Sequence, residues 1–547
     1  MRAKSIGLVM GPILFLLISF FFHADGLSKE GTSTLAIAVW IAFWWITEAI
    51  PISATALLPL VLFPITGVMS IKATSGAFAN QMIFLFLGGF ILAVAIEKTN
   101  LHKRIALTII HQIGSNWNKV ILGFMIATAF LSMWISNTAT AVMMMPIGLA
   151  VISQINTEEE IKKKMGRSLM LAIAYGCSIG GIATIIGTPT NVIFVGIVEE
   201  LYKETISFTD WMMLGLPFSL VMLAIGWLYL TKIVFPVTVE GIPGGKKAIQ
   251  EQIKQLGKIS YQERSVFIVF LIVALCWMSS SLILKKIIPG INDTIIAIAG
   301  ALSLFLIPAT KQKTTFFSGT KIVVACIVVF LIILKAVSFF LVFSEKPVPN
   351  FIHTAIVSLS IIGVTILFSS LAKNKGKLGI IDWKTAEKIP WGILLLFGGG
   401  LALAEGFKVS GLAKWIGSQL SLFEAFPIIL LILAIITVVN FLTEITSNVA
   451  TAAMLMPVLA ALAFSIDIHP YLLMIAGTVA ASCAFMLPVA TPPNAVVFGS
   501  GLLTIPKMMK AGFWMNIISI VLATIFIYFI LPLVWQIDIN TFPELFK

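Results

Sequence analysis

Two short phrases carry the chemistry of this chain: Ser136-Asn137-Thr138-Ala139-Thr140 and Ser447-Asn448-Val449-Ala450-Thr451, each inside a long apolar stretch. Carboxamides and hydroxyls both donate and accept hydrogen bonds. Such a cluster can take up a carboxylate through its N–H and O–H groups, or offer hard oxygens to an alkali cation. Polar groups at membrane depth are costly unless they bind something. A second pair, Gly187-Thr188-Pro189-Thr190-Asn191 and Ala490-Thr491-Pro492-Pro493-Asn494, interrupts apolar helices with prolines, which remove backbone donors and leave carbonyls unpaired. Carbonyl, hydroxyl and amide oxygens suffice for sodium without a carboxylate, by extension from the hard-ligand rules for calcium and magnesium. Small polar residues also serve simply to let helices pack closely, but four motifs in two matched pairs favour a site.

The pairing is a duplication that carries its flanks along. A shift of 311 positions superposes Gly88-Gly89 on Gly399-Gly400, Leu101 on Leu412, Lys103 on Lys414, Ser136-Asn137 on Ser447-Asn448 and Pro146 on Pro457. A shift of 303 superposes the proline motifs and places Gly196 on Gly499, so about eight residues differ between the copies over that interval. Upstream, a shift of 244 aligns Leu62-Phe63-Pro64 with Leu306-Ile307-Pro308, which leaves 67 additional residues in the second copy between Ala309 and Gly379. That is room for one helical hairpin, at about 322–343 and 351–371.

The elements that position these motifs follow from composition. With 59% hydrophobic and 11% charged residues and a mean hydropathy of +1.05, the chain lies far from soluble proteins, in which charged residues make up about a quarter. It reads as an all-α polytopic membrane protein. Apolar runs of about 20 residues recur along it, giving about thirteen crossings plus two shorter hairpin-like segments. The first run, after Arg2 and Lys4, lacks a small-x-small cleavage site and reads as an uncleaved helix. The net charge of +12 raises the idea of a nucleic-acid partner, but the lysines sit in short loops between spans. The positive-inside bias accounts for them. Cys177, Cys276, Cys326 and Cys483 stand singly in apolar sequence without metal spacing, and read as packing residues.

Basic loops at 2–4, 98–119, 162–167, 246–264, 311–321, 373–388 and 507–510 can share one side under a single threading, with the N-terminus inside and the C-terminus outside. Lys285 and Lys286 fall on the other side, against the trend. The linker before the first phrase (Lys98, Lys103, Arg104, Lys119) then lies inside and its mate (Lys408, Lys414) outside, so the copies are inverted. From Lys119 to Gln154, and again from Phe426 to Ser465, the apolar run is too long for one crossing and is broken midway by the polar phrase. Two half-spanning helices meeting at a tip, a re-entrant hairpin, explain both features. Irregular backbone at that depth is tolerated where it lines a cavity, and its free N–H groups and positive helix ends favour an anion. Inverted repeats are the signature of many secondary transporters, with substrate held near the midplane.

These residues resemble the divalent anion/sodium symporter family, carriers of di- and tricarboxylates. The likeness runs from Trp45-Ile46-Thr47-Glu48-Ala49-Ile50-Pro51 to the Pro492-Pro493-Asn494 region, outside the insertion. It implies a homodimer in the cell membrane, with scaffold helices at the interface and a transport domain that moves like an elevator. Carried over by motif, Ser136, Asn137 and Thr138, Ser447, Asn448 and Val449, and Thr188, Pro189, Thr491 and Pro492 would bind substrate. One sodium site would use Ser132, Ser136, Asn137 and Gly187, and its mate Thr443, Ser447, Asn448 and Ala490. Val449 stands where a third hydroxyl would complete the second motif, which bears on substrate preference. The division that follows is 1–118 for first-repeat scaffold and linker, 119–235 for its transport part, 236–308 for a cytoplasmic loop and second-repeat scaffold, 309–379 for the insertion, 380–424 for the last scaffold and linker helices, and 425–547 for the second transport part.

The expectation is therefore a secondary carrier of C4–C6 carboxylates coupled to sodium, with no cofactor, the partners being substrate, bilayer and a second copy. A sodium-independent dicarboxylate exchanger is the alternative. An anion channel is the rival class, but channels expose a continuous polar path, whereas polar residues here cluster at two tips and two breaks. The one enzyme-like feature, Gly176-Cys177-Ser178-Ile179-Gly180, matches the G-x-S-x-G nucleophile pattern but lies within apolar sequence, not on the strand-to-helix elbow that pattern requires. Glu48 and Glu444 are intramembrane acids that can be read as proton carriers or, near span ends, as structural carboxylates.

Overall fold

Apolar sequence at membrane depth can satisfy its own backbone within a segment only as helix. The computed structural model describes residues 2–114, 116–155, 157–237, 245–288, 290–309, 379–420 and 425–546, and every regular element among them is helical. The body of the insertion, 310–378, lies outside the described residues, and with it the hairpin expected there. Eight described helices are long and apolar enough to cross a membrane, and six shorter apolar ones accompany them. Most hairpin limbs belong to the shorter group, as half-spanning elements require.

The repeat is visible helix by helix. Gln81–Lys98, Leu101–Ile113, Trp117–Ser132 and Asn137–Ser153 match Trp391–Val409, Leu412–Gln419, Ile428–Thr443 and Asn448–Ser465 at the shift of 311. Glu159–Ile182, a break, Pro189–Tyr202 and Phe208–Leu228 then match Pro470–Ser482, a break, Pro492–Phe498 and Ile505–Ile525. The length difference falls in the limb before the break, 24 residues in one copy and 13 in the other, and is partly offset by a longer second break. Both terminal helices even unwind into a π-helical turn, Tyr229–Val234 and Phe526–Ile530.

The copies interlock. Gln81–Lys98 packs on Asp293–Leu306 of the second copy, and Trp391–Val409 packs on Ile52–Thr55 of the first. Matched glycines permit the approach: a Cβ on Gly88 would lie 2.7 Å from the carbonyl carbon of Ala297, and one on Gly399 would lie 2.4 Å from the Ala56 oxygen. The same exchange occurs around the motifs, where Pro189–Tyr202 packs on Asn448–Ser465 and Pro492–Phe498 packs on Asn137–Ser153. Each hairpin is gripped by the broken helix of the other copy.

Polar contacts join loops far apart in the sequence. Arg104 Nε pairs with Glu263 at 2.9 Å, Lys98 reaches Thr385 at 3.2 Å and Lys4 reaches Glu48 at 3.4 Å. Lys408 donates to Leu201 O at 2.6 Å, Trp415 to Asp25 O at 3.2 Å and Trp535 to Asp210 O at 3.0 Å. We expect Gly88→Ala and Gly399→Ala each to cost about 1–3 kcal/mol of stability by overpacking, because backbone rather than a movable side-chain end blocks the new methyl. Gly76→Ala, with nothing within 4 Å of its Cβ position, should leave the thermal midpoint unchanged. Thermal denaturation followed by fluorescence size-exclusion chromatography checks all three.

Candidate functional site

The first tip spans the four residues between Trp117–Ser132 and Asn137–Ser153, with Ser136 as N-cap accepting from the Ala139 N–H at 3.3 Å. Ser132 Oγ donates to Asn137 Oδ1 at 2.5 Å. In the second hairpin Thr443 Oγ1 donates to Asn448 Oδ1 at 2.7 Å. One geometry is thus made twice: a hydroxyl ending the first limb fixes the amide that begins the second. Neither Nδ2 has a hydrogen-bond partner among the described residues, so each remains available to an acceptor. The two amides also sit at the positive ends of Asn137–Ser153 and Asn448–Ser465, which favours an anion at both tips.

The breaks differ in one respect from the sequence expectation. Pro189 and Pro492 stand at the first position of their helices, where a missing N–H costs nothing. The carbonyls freed before them are not left unpaired as a group, because a matched asparagine collects them. Asn191 Nδ2 donates to Gly181 O, Ile182 O and Thr184 O at 3.2, 3.3 and 2.8 Å. Asn494 Nδ2 donates to Ala484 O and Leu487 O at 3.3 and 3.0 Å. Both asparagines keep a buried Oδ1 without a hydrogen-bond partner. Thr184 Oγ1 ties the first break to the first tip by donating to Met133 O at 2.6 Å. Thr190 Oγ1 and Ser482 Oγ, 2.6 Å apart and buried, tie the two breaks together.

Around the first tip the structure brings Ser132, Asn137 and Gly187 together, and Gly181 joins them. A Cβ on Gly181 would lie 2.8 Å from Asn137 Oδ1 and 3.2 Å from Gly187 O, and one on Gly187 would lie 2.5 Å from Gly181 O. Ser136 adjoins as the cap. In the second copy Thr443 Oγ1 also lies 3.2 Å from Ala481 O, Ala490 is buried in the break, and Ser447 makes no side-chain capping bond. These are sets of neutral oxygens, suited to a hard monovalent cation. Among the described residues no group of three or more His, Cys, Asp and Glu could hold a metal.

Glu444 shows its role by its partners. Its Oε1 accepts from the N–H groups of Phe485 and Met486 at 2.8 and 2.9 Å and from Asn516 Nδ2 at 2.8 Å, and its Oε2 accepts from the Leu487 N–H at 2.9 Å. It anchors the second break, a structural carboxylate. Glu48 is a half-exposed helix cap in left-handed backbone (φ 46°) beside Lys4. Gly176-Cys177-Ser178-Ile179-Gly180 lies inside Glu159–Ile182, where a Cβ on Gly180 would fall 2.3 Å from Ala129 O. The pattern serves close packing.

A cavity of about 810 Å³ opens on the first tip, with Ser136, Thr138 and Thr140 on one wall and Glu97, Lys103 and Lys388 as its charged residues. Gln252 and Gln255 of Gly245–Leu256 also line it. Arg104 holds that helix in place by donating to Leu256 O at 3.2 Å and Gly257 O at 3.1 Å while paired with Glu263. Burial, and then the charge of Lys103, hold the His102 imidazole below its usual range, so at neutral pH the cationic groups of the cavity are the two lysines. Thr188, Pro189, Thr491 and Pro492 occupy the helix starts at the breaks. Ser447, Asn448 and Val449 do not line this cavity. Of the added residues, Asn191 and Asn494 were visible in the matched motifs, whereas Gly181, Ser482 and Asn516 carried no signal in one sequence.

Glu444→Ala strips three backbone N–H groups of a charged acceptor, and at about 1.5–3 kcal/mol for each such bond it should lower the thermal midpoint of the purified protein steeply. Gly181→Ala should leave that midpoint within a few degrees yet cut transport at least tenfold, because the methyl displaces the Asn137 amide. Thermal scans and uptake assays on the two variants check both outcomes.

The chain can now be set beside known proteins. Residues 2–536 match the family described as the sodium:sulfate symporter transmembrane region. It is 42% identical over 545 residues to the sodium-dependent dicarboxylate transporter SdcS of Staphylococcus saprophyticus, covering 98% of this chain and 93% of the relative. It is 43% identical over 545 residues to SdcS of Staphylococcus aureus strain MRSA252, with the same coverage. Among solved structures, MtrF of Neisseria gonorrhoeae superposes with a TM-score of 0.51 at 12% identity, covering 96% of this chain and 95% of that one. The Alcanivorax borkumensis YdaH transporter gives 0.51 at 14% identity over 90% and 97%. These two speak for the fold alone. The duplicated hairpins and breaks, the match over nearly the whole length and the identity to its relatives make this chain a member of the sodium:sulfate symporter family of multi-pass membrane transporters.

Proposed function

We propose that this protein is a sodium-coupled symporter of small dicarboxylates of the succinate, malate, fumarate and 2-oxoglutarate class. The observation that carries the reading is the repeated hydroxyl–amide unit, Ser132 with Asn137 and Thr443 with Asn448, set in interlocked copies of one family. The names of the relatives support both halves, since SdcS is called sodium-dependent and a dicarboxylate transporter. Each tip takes one carboxylate, through Ser136, Asn137 and Thr138 on one side and Ser447 and Asn448 on the other, with Val449 an apolar neighbour. Thr188, Pro189, Thr491 and Pro492 close the floor. Sodium binds beside each tip, at Ser132, Ser136, Asn137 and Gly187 and at Thr443, Ser447, Asn448 and Ala490, and brings the positive charge that neutral side chains lack. Recognition without buried ion pairs suits a carrier that must release its cargo, because breaking a buried pair costs several kcal/mol.

In this reading the parts 119–235 and 425–547 move together as an elevator against scaffold helices that hold a homodimer in the cell membrane. The N-terminus lies in the cytoplasm and the C-terminus outside. The cavity bearing Lys103 and Lys388 is then the cytoplasmic exit, where two cations concentrate a dianion.

Uptake of labelled succinate into proteoliposomes tests the function. Empty vesicles should accumulate it only with an inward sodium gradient, and Asn137→Ala or Asn448→Ala should abolish uptake while the protein stays folded. Uptake that ignores sodium but demands internal dicarboxylate would make this an exchanger. Lys103→Gln combined with Lys388→Gln should slow efflux roughly threefold to tenfold at low salt and have little effect at high salt, as read by counterflow at two ionic strengths.

A further inference from the structure

A second cavity, of about 690 Å³, is independent of the tips and of the transport reading. Its polar end is made by two helix faces. Lys164 and Arg167 lie one turn apart in Glu159–Ile182, and Lys507 and Lys510 lie one turn apart at the start of Ile505–Ile525. Against these four cations the cavity sets a single carboxylate, Glu160. None of the four forms a salt bridge among the described residues. Lys164 Nζ is aimed by Pro236 O at 2.6 Å and Arg167 Nε by Leu502 O at 3.4 Å, neutral partners that leave the charge uncompensated.

The rest of the wall is apolar and follows the same face of the second helix. Ala511, Trp514 and Ile518 continue from Lys507 and Lys510 at helical spacing, opposite Ile233 of the π-helical turn. Tyr229 joins the two walls by donating to Ala511 O at 2.8 Å. Trp514 is 55% exposed and Ile233 72% exposed, so the groove opens sideways on the apolar surface of spanning helices. A groove cationic at one end, apolar below and edged by tryptophan has the chemistry of the membrane interface. A free phosphate would use the cations and leave the long apolar wall without a partner.

We propose that this groove binds an acidic phospholipid, with the headgroup phosphate among Lys164, Arg167, Lys507 and Lys510 and an acyl chain along Ala511, Trp514, Ile518 and Ile233. All of its walls belong to the segments that follow the two hairpins, so the lipid is carried by the same body as the hairpins.

Native mass spectrometry of the full chain in mild detergent tests this, with phosphatidylglycerol and phosphatidylcholine of identical acyl chains as probes. Phosphatidylglycerol should be retained at least tenfold better. Lys507 and Lys510 are exposed, so the double variant K507Q/K510Q keeps its fold, and it should bind phosphatidylglycerol about thirtyfold more weakly, from roughly 1 kcal/mol per charge. The control K254Q/K258Q, exposed lysines outside the groove, should bind as the unaltered protein does. Excess inorganic phosphate should leave the lipid in place. Equal retention of the two lipids, equal binding by K507Q/K510Q, or an equal loss in K254Q/K258Q would overturn the proposal. Displacement of phosphatidylglycerol by inorganic phosphate would assign the groove to a soluble anion instead.

Discussion

Breaking a helix inside apolar surroundings leaves backbone N–H and C=O groups that must find partners, at about 1–3 kcal/mol for each one left unmet. The rest of this structure depends on how that demand is met. In the first copy one asparagine, Asn191, takes up three carbonyls and Thr184 fastens the break to the hairpin tip. In the second, Asn494 takes the carbonyls and Glu444 takes the amides of Phe485, Met486 and Leu487. The same pseudo-symmetric problem has two different solutions, since Met133 stands where the second copy has Glu444. With the backbone held this way, oxygens that remain at the tips can be given to a ligand without the break collapsing.

Packing extends this local solution to the whole molecule. Because each hairpin is gripped by the broken helix of the other copy, and because Thr190 and Ser482 join the breaks, the two tips are parts of one body. A motion that carried one tip across a membrane would carry the other. The matched glycines Gly88 and Gly399, by contrast, fasten helices that precede the hairpins to the opposite copy. In the proposed cycle sodium supplies charge to a site built from amides and hydroxyls, and losing sodium on the far side weakens the hold on the anion.

Much of this was legible in the chain. The hairpins were announced by apolar runs too long for one crossing with a polar phrase in the middle, and the helices do break at those phrases, between Ser132 and Asn137 and between Thr443 and Asn448. The duplication placed both breaks. The function of the prolines was misread, because sequence shows that a proline interrupts a helix but not whether it lies in the last turn of one or the first turn of the next. Gly181 could not be found, since its importance lies in how near Asn137 comes to it in space. The partners of Glu444 lie 41 to 72 positions away, so the choice between proton carrier and structural anchor needed the fold. Lys103 and Lys388 were read only as loop charges, and their shared cavity joins segments far apart in the chain.

In the proposed site, two matched tips hold one dianion together with sodium. Equilibrium binding of labelled succinate to the purified protein, titrated over sodium concentration, tests it without requiring any transport. Binding should require sodium, depend on it more steeply than first order, and be lost on changing either Asn137 or Asn448. Tight succinate binding that is indifferent to sodium, or that survives both changes, would contradict it.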